Sequence, residues 1–219
     1  MCCGAFFRTP GAFTALKAWV VEDLLDCATP DNPARIWIPA CGTGEEAYSV
    51  AMLLIEHFQA YGRQANLRVF ATDTETNSIE VARAGVYAES DVIGVSAPRL
   101  QRFFQHYGSN RLQVSAGLRD CVVFAHHDLQ NDPPLSRLDF VNCQNALGQL
   151  AAGNRTNLYS LLHFALSLLQ VLRFVLPLAE EGSRDRERAG QCCRCAPARR
   201  KLSPTFCPKR FALHQFQCL

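Results

Sequence analysis

Apolar positions along this chain follow two periods in turn. Phe13, Leu16, Val20 and Leu24 recur every three or four residues, so 11–27 is expected to be an amphipathic helix. Residues 29–33 are rich in turn formers. They lead into Ile36-Trp37-Ile38, an apolar run long enough for a buried strand and too short for a helix. The run stops at Pro39, crosses Cys41-Gly42-Thr43-Gly44 and resumes as an amphipathic helix over 45–58. A second strand is expected at 67–71 and a helix at 76–84. Residues 98–106 suggest a short helix burying Leu100, Phe103 and Phe104. Two strand-like runs, 111–115 and 121–125, joined around Gly117, are expected to form a small antiparallel element. A buried strand at 138–142 and a long helix at 157–174 follow. Strands alternating with helices predict an α/β fold around a mostly parallel, doubly wound sheet. The right-handed crossover rule makes the strands at 35–39 and 67–71 adjacent and parallel, in a three-layer core over about 34–166.

The chemistry concentrates where the first strand gives way to the first sheet-covering helix. Strand, glycine turn, helix exposes backbone N–H groups and a helix N-terminus to a ligand. Glycine belongs there because a Cβ would block close approach of a ligand to the backbone. The helix opens with Glu45 and Glu46, which would repel a phosphate. A ligand with a positive centre fits better, and S-adenosylmethionine carries both a sulfonium and an ammonium. Asp73, just past the second strand, stands where an acidic side chain accepts hydrogen bonds from a ribose diol. The alternative for Asp73 is a helix cap.

The wording of these segments resembles a known family. Phe6-Phe7-Arg8, then Cys41-Gly42-Thr43-Gly44-Glu45-Glu46-Ala47-Tyr48-Ser49, Phe70-Ala71-Thr72-Asp73 and Ala82-Arg83-Ala84-Gly85-Val86-Tyr87 occur in family order. Val122-Val123-Phe124-Ala125 with His127-Asp128-Leu129, the stretch Asp132 to Asp139, and Cys143-Gln144-Asn145 complete the series. Together, over roughly residues 5–166, they are similar to CheR-type chemotaxis-receptor glutamate methyltransferases, especially the form fused to other signalling domains. The resemblance implies the class I S-adenosylmethionine-dependent methyltransferase fold. It also implies methyl esterification of glutamate side chains on a chemoreceptor or signalling protein.

Residue by residue, it makes Arg8 the counterpart of a family Arg close to the cofactor, where a guanidinium can pair with a carboxylate in bidentate fashion. Cys41, Gly42 and Gly44 form the cofactor turn, and either Glu45 or Glu46 meets its positive groups while the other is a solvated neighbour. Asp128 and Leu129 stand where the family has Asn-Leu near the adenine; Asp can accept from the exocyclic amine but cannot donate to a ring nitrogen. Asn145 matches a position beside the cofactor. Gln144 replaces a family Arg there, and Gly148-Gln149 replaces Ile-Tyr. Those losses, the family's missing N-terminal helical domain and its missing closing strands support an alternative. In it the chain is a degenerate, inactive fragment that at most binds cofactor or a partner.

Composition adds a boundary. Hydrophobic residues make up 48% and charged residues 19% of the 219, as in a globular domain. The net charge of +2 conceals an asymmetry: from Ser183 onward nine Arg or Lys face two acids, leaving −5 on the first 182 residues. Five of the eleven cysteines fall in the last 28 residues. Three parts are therefore expected: a helical lead-in at 1–33, a methyltransferase-like domain at 34–178, and a basic, Cys-rich tail at 179–219. The tail is expected to be disordered, because its apolar residues are too few to offset the ordering entropy. Its abrupt composition also suggests a shifted reading frame. Its cysteines with His214 match no regular zinc spacing, and His126 and His127, adjacent on a strand, point to opposite faces. No metal site is expected. The tail lacks the aromatic-basic rhythm of a specific nucleic-acid binder. The apolar stretch 161–178 is too polar to span a bilayer, and no signal segment opens the chain, so a cytoplasmic monomer acting on a protein substrate is expected.

Overall fold

The computed structural model of the chain describes residues 5–142 apart from 20–23, 25–27, 30, 31 and 130. Gln144 and Asn145, the helix expected at 157–174, the question of closing strands and the tail all lie outside the described residues.

Four strands form one parallel sheet. β1 (Ala34–Pro39) pairs with β2 (Leu67–Asp73) in the register Ala34↔Leu67 to Pro39↔Thr72. With the strands numbered in chain order, β6 (Val122–His126) lies beyond β2, and β7 (Phe140–Val141) lies on the far side of β1. The order β6-β2-β1-β7 means that the chain moves outward from β1 and later returns to its other side. The C-terminal ends of β1 and β7 therefore border a topological switch point, the place where open α/β sheets hold ligands.

The expected strand pair is present, and each element extends for a physical reason. Ile36, Ile38, Val69, Ala71 and Phe124 are buried on these strands. Between β1 and β2 runs α2 (Glu45–Ala60), two residues longer than its apolar spacing indicates. Tyr48, Met52, Leu54 and Phe58 are buried along it. α3 (Thr76–Ala84) packs beside α2 on the same sheet face, where the Tyr48 hydroxyl donates to the carbonyl of Ala82 at 2.8 Å. Ahead of the sheet, α1 (Pro10–Trp19) covers the first part of the expected N-terminal helix, with Leu16 buried. No helix among the described residues is long and apolar enough to cross a membrane.

One sequence expectation is overturned. The runs at 111–115 and 121–125 do not pair with each other. β5 (Arg111–Val114) is the middle strand of a separate antiparallel sheet, flanked by β3 (Val86–Ala88) and β4 (Phe104–His106), whereas β6 joins the parallel sheet. Gly117 lies inside a helical turn, Ala116–Arg119, which carries the chain from one sheet to the other. The hairpin turn is instead 107–110, where Gly108 takes φ 69°. The helix expected at 98–106 is α4 (Ala97–Phe103); Phe104 starts β4 at once, so its burial belongs to a strand.

The N-terminal Phe6 locks onto this small sheet. Its ring lies edge-on to Tyr87 at 5.0 Å and to Phe104 at 5.5 Å. A Cβ at Gly94 would come within 2.4 Å of the Phe6 carbonyl oxygen, so glycine is required for that approach.

Candidate active site

The turn after β1 is built by backbone geometry that few residues tolerate. Ala40 takes φ 53°, Gly42 φ 55° and Gly44 φ 94°. The two glycines serve different ends. A Cβ on Gly44 would meet the Ala82 Cβ at 2.9 Å and the Phe124 ring at 3.1 Å, so Gly44 lets α2 close onto α3 and β6. A Cβ on Gly42 would meet nothing within 4 Å; that position faces open space, as a cradle for a ligand does.

Asp73 ties the turn to the next helix. Its Oδ2 accepts from the N–H of Gly42 at 2.8 Å, and its Oδ1 accepts from the N–H of Glu75 at 3.0 Å. Glu75, not Asp73, is the N-cap of α3, so Asp73 anchors the turn ahead of the helix rather than capping it, and each of its oxygens keeps a further lone pair for a hydroxyl donor. The Gly42 N–H, engaged by a carboxylate, is not offered to an anion.

The two glutamates separate cleanly. Glu45 is 6% exposed, and the Thr43 hydroxyl shares its proton between both carboxylate oxygens at 2.8 and 2.7 Å. The Thr43 carbonyl accepts from the Tyr87 hydroxyl at 2.7 Å, so the small sheet pins the turn from outside. Glu46 is half-buried and accepts from the Asn142 amide at 2.7 Å. Neither glutamate is a solvated neighbour, which corrects that expectation: the turn folds Glu45 inward, and the switch point supplies a donor for Glu46.

Cys41 is buried, and its N–H donates to the Thr72 carbonyl at 3.0 Å. Burial pushes its thiol well above the usual range, and Asp73, Glu46 and Glu45 push in the same direction. The thiol stays protonated and is a packing group, not a nucleophile.

Arg8 lies one residue beyond Phe7, whose N–H donates to Ser49 Oγ at 3.1 Å; the Ser49 hydroxyl donates to the Glu45 carbonyl at 2.7 Å. That chain of bonds places Arg8 at the N-terminal end of α2, exposed and without a hydrogen bond or ion pair to another described residue. Asp128 begins a tight turn beyond β6. Its N–H donates to Asp132 at 2.8 Å, and its Oδ2 accepts from Asn131 at 2.7 Å, with Leu129 half-buried beside it. His126 is exposed at the strand end. The His127 ring stands edge-on to Trp37 at 5.4 Å, and its Nε2 lies 3.0 Å from the Pro133 carbonyl oxygen.

The residues brought together at the ends of β1, β2 and β7 are thus Cys41, Gly42, Gly44, Glu45, Glu46 and Asp73. Asn142 and Tyr87 join them without having been anticipated. The signal for Asn142 was a polar side chain closing an otherwise apolar strand. For Tyr87 it was an aromatic set just after the glycine that ends α3. An acidic crevice with a glycine cradle suits a ligand carrying hydroxyls and positive charge and opposes a phosphate. S-adenosylmethionine has both features.

Comparison with known proteins agrees. A family described as "CheR methyltransferase, SAM binding domain" matches residues 3–172. A 104.1 kDa protein of Rhodobacter capsulatus, described by its place in the hypE 3' region, is 40% identical over 143 residues. That match covers 65% of this chain and 15% of the relative. Chemotaxis protein methyltransferase 1 of Pseudomonas aeruginosa is 32% identical over 165 residues, covering 72% of this chain and 59% of the relative. The chain therefore spans less than two thirds of either relative. A crystal structure of an S-adenosylmethionine-dependent methyltransferase from Thiobacillus denitrificans, with S-adenosyl-L-homocysteine, covers 73% of this chain and 45% of that one at 15% identity. Its TM-score of 0.35 is too low to add to the strand order already described.

Proposed function

The chain belongs to the CheR methyltransferase family, and from that premise we propose that it methylates glutamate side chains of a chemoreceptor or related signalling protein, using S-adenosylmethionine. The observation that carries this reading is the acidic crevice at the switch point, cornered by Gly42 and bounded by Asp73 and Glu46. The cofactor supplies a methyl group made electrophilic by the sulfonium that bears it.

The chain's own residues bind and orient. Asp73 accepts from the ribose hydroxyls through the lone pairs that Gly42 and Glu75 leave unused. Glu46 meets the cationic end, with Glu45 setting the turn from beneath; Cys41, Gly42 and Gly44 shape the cradle. Asp128 accepts from the adenine amine, and Leu129 covers the ring. Arg8 is the cation for a carboxylate, and the family resemblance assigns Gln144 and Asn145 to cofactor binding. Displacement at the methyl carbon needs alignment and a poorly hydrated acceptor carboxylate rather than a covalent intermediate.

The name of the Pseudomonas aeruginosa relative supports a chemotaxis partner, and the size of the Rhodobacter capsulatus relative shows that such a domain also occurs within a much longer chain. The working form is a cytoplasmic monomer. Gln144 in place of the family Arg, with Gly148-Gln149 in place of Ile-Tyr, favours a second reading in which cofactor binds but no ester forms.

Titration of the full chain with S-adenosylhomocysteine, followed by a tritiated methyl-transfer assay on a receptor fragment, decides between them. Binding plus base-labile methanol release supports methylation. Binding without release supports the inactive module, and no binding overturns both.

A further inference from the structure

We propose that Asn142 is a positioning residue for the cofactor, orienting the Glu46 carboxylate toward the ligand's ammonium. This rests on the reading of Glu46 as the group that meets the cofactor's cationic end.

Asn142 sits at the switch point itself. Its backbone N–H donates to the Trp37 carbonyl at 2.9 Å, extending the β7–β1 pairing one residue past the strand, and the residue is 3% exposed. The side-chain amide donates to Glu46 Oε1 at 2.7 Å, while its Oδ1 is buried with no hydrogen-bond partner among the described residues. An unmatched buried acceptor is costly, and an apolar residue of the same shape would avoid it. What the carboxamide gains here is its bond to Glu46. That bond also fixes its orientation, because turning the oxygen toward the carboxylate would oppose two acceptors.

The choice of a neutral donor matters electrically. Lys or Arg at this position would cancel the charge of Glu46, and Asp would repel it. A carboxamide donates to one carboxylate oxygen without adding a charge of its own.

The test is isothermal titration of the full chain, its variants Glu46→Gln and Asn142→Leu, and the double variant. Two probes are used: S-adenosylhomocysteine, which has the ammonium, and methylthioadenosine, which lacks the amino-acid part. Asn142→Leu keeps the branched shape with some added volume and removes the orphaned acceptor, and a thermal melt checks that the fold is kept. Glu46→Gln is expected to weaken S-adenosylhomocysteine about tenfold and Asn142→Leu about threefold to tenfold. The double variant should match Glu46→Gln within about twofold, because Asn142 acts through Glu46. Methylthioadenosine affinity should stay within about twofold in every variant.

If Glu46→Gln leaves S-adenosylhomocysteine binding intact, the reading of Glu46 fails and this inference falls with it. If Glu46→Gln weakens binding and Asn142→Leu does not, the inference alone falls. Equal weakening of both probes by Asn142→Leu would mark a packing role and overturn it.

Discussion

The parallel sheet and the small antiparallel sheet divide the labour of this protein unequally. β1 and β2 are six and seven residues long, β1 almost wholly buried and β2 buried mainly on the face of Leu67, Val69 and Ala71, and their C-terminal ends lead to the glycine turn, Asp73 and Glu46. The strands of the small sheet have three or four residues and partly exposed faces, and none of the anticipated cofactor residues lies on them. Yet the small sheet reaches into the site through Tyr87, whose hydroxyl holds the Thr43 carbonyl. Long buried strands fix where the chemistry sits; the small sheet steadies the turn from outside.

The hardest blow to the first region is Gly44→Val. It forces a β-branched residue to φ 94° and drives a Cβ into Ala82 and Phe124. A loss of about 3 kcal/mol or more in urea denaturation is expected. Gly108→Ala, in the small sheet's hairpin, meets open space at φ 69° and should cost only about 1 kcal/mol. Equal losses would show that the two regions are equally tight.

Asp73→Ala comes next. It removes a carboxylate that serves both the turn and the start of α3, and S-adenosylhomocysteine binding should weaken by about 1–3 kcal/mol in titration calorimetry. Unchanged affinity would leave Asp73 as a structural anchor of the turn alone.

Tyr87→Phe tests the bridge between the regions. It keeps the ring against Phe6 and removes only the bond to Thr43, so stability should fall by about 1 kcal/mol, with a parallel, smaller loss of cofactor affinity. A stability loss with unaltered affinity would sever the small sheet from the site.

The smallest effect belongs to Arg99→Lys. The Arg99–Glu56 fork, at 2.8 and 2.7 Å with side chains 24% and 29% exposed, also places the guanidinium 4.1 Å from the centre of the Phe7 ring. Lysine keeps the charge and loses the fork, for about 0.5 kcal/mol, with most of the difference gone in high salt.

Much of the parallel sheet was legible because its signals are local. Ile36 to Ile38, the glycine turn and the apolar stripe of α2 follow one another without a break, and the spacing at 76–84 matches α3 in full. The small sheet was not, because β5 pairs with residues 86–88, far back in the chain, and periodicity over so few residues cannot name a partner. Gly117 misled for the same reason: a glycine between two strand-like runs suggests a hairpin, and here it is part of a helical turn. Within the site, the acidic opening of α2 was visible in sequence. Which glutamate turns inward depended on Thr43 and Tyr87, a contact between residues 44 apart. Asn142 was missed because its meaning lies in Glu46, on a different element.

Trp37 gives the site its own optical probe. The indole is 1% exposed, its N–H donates to Thr72 Oγ1 at 3.0 Å next to Asp73, and the His127 ring stands against it. A tryptophan sealed in that way emits in the blue part of its range, and a ligand settling at the end of β2 alters its surroundings directly. The chain has two tryptophans. Replacing Trp19 by phenylalanine therefore leaves a single emitter beside the crevice, and cofactor titrations become readable by intrinsic fluorescence without a label.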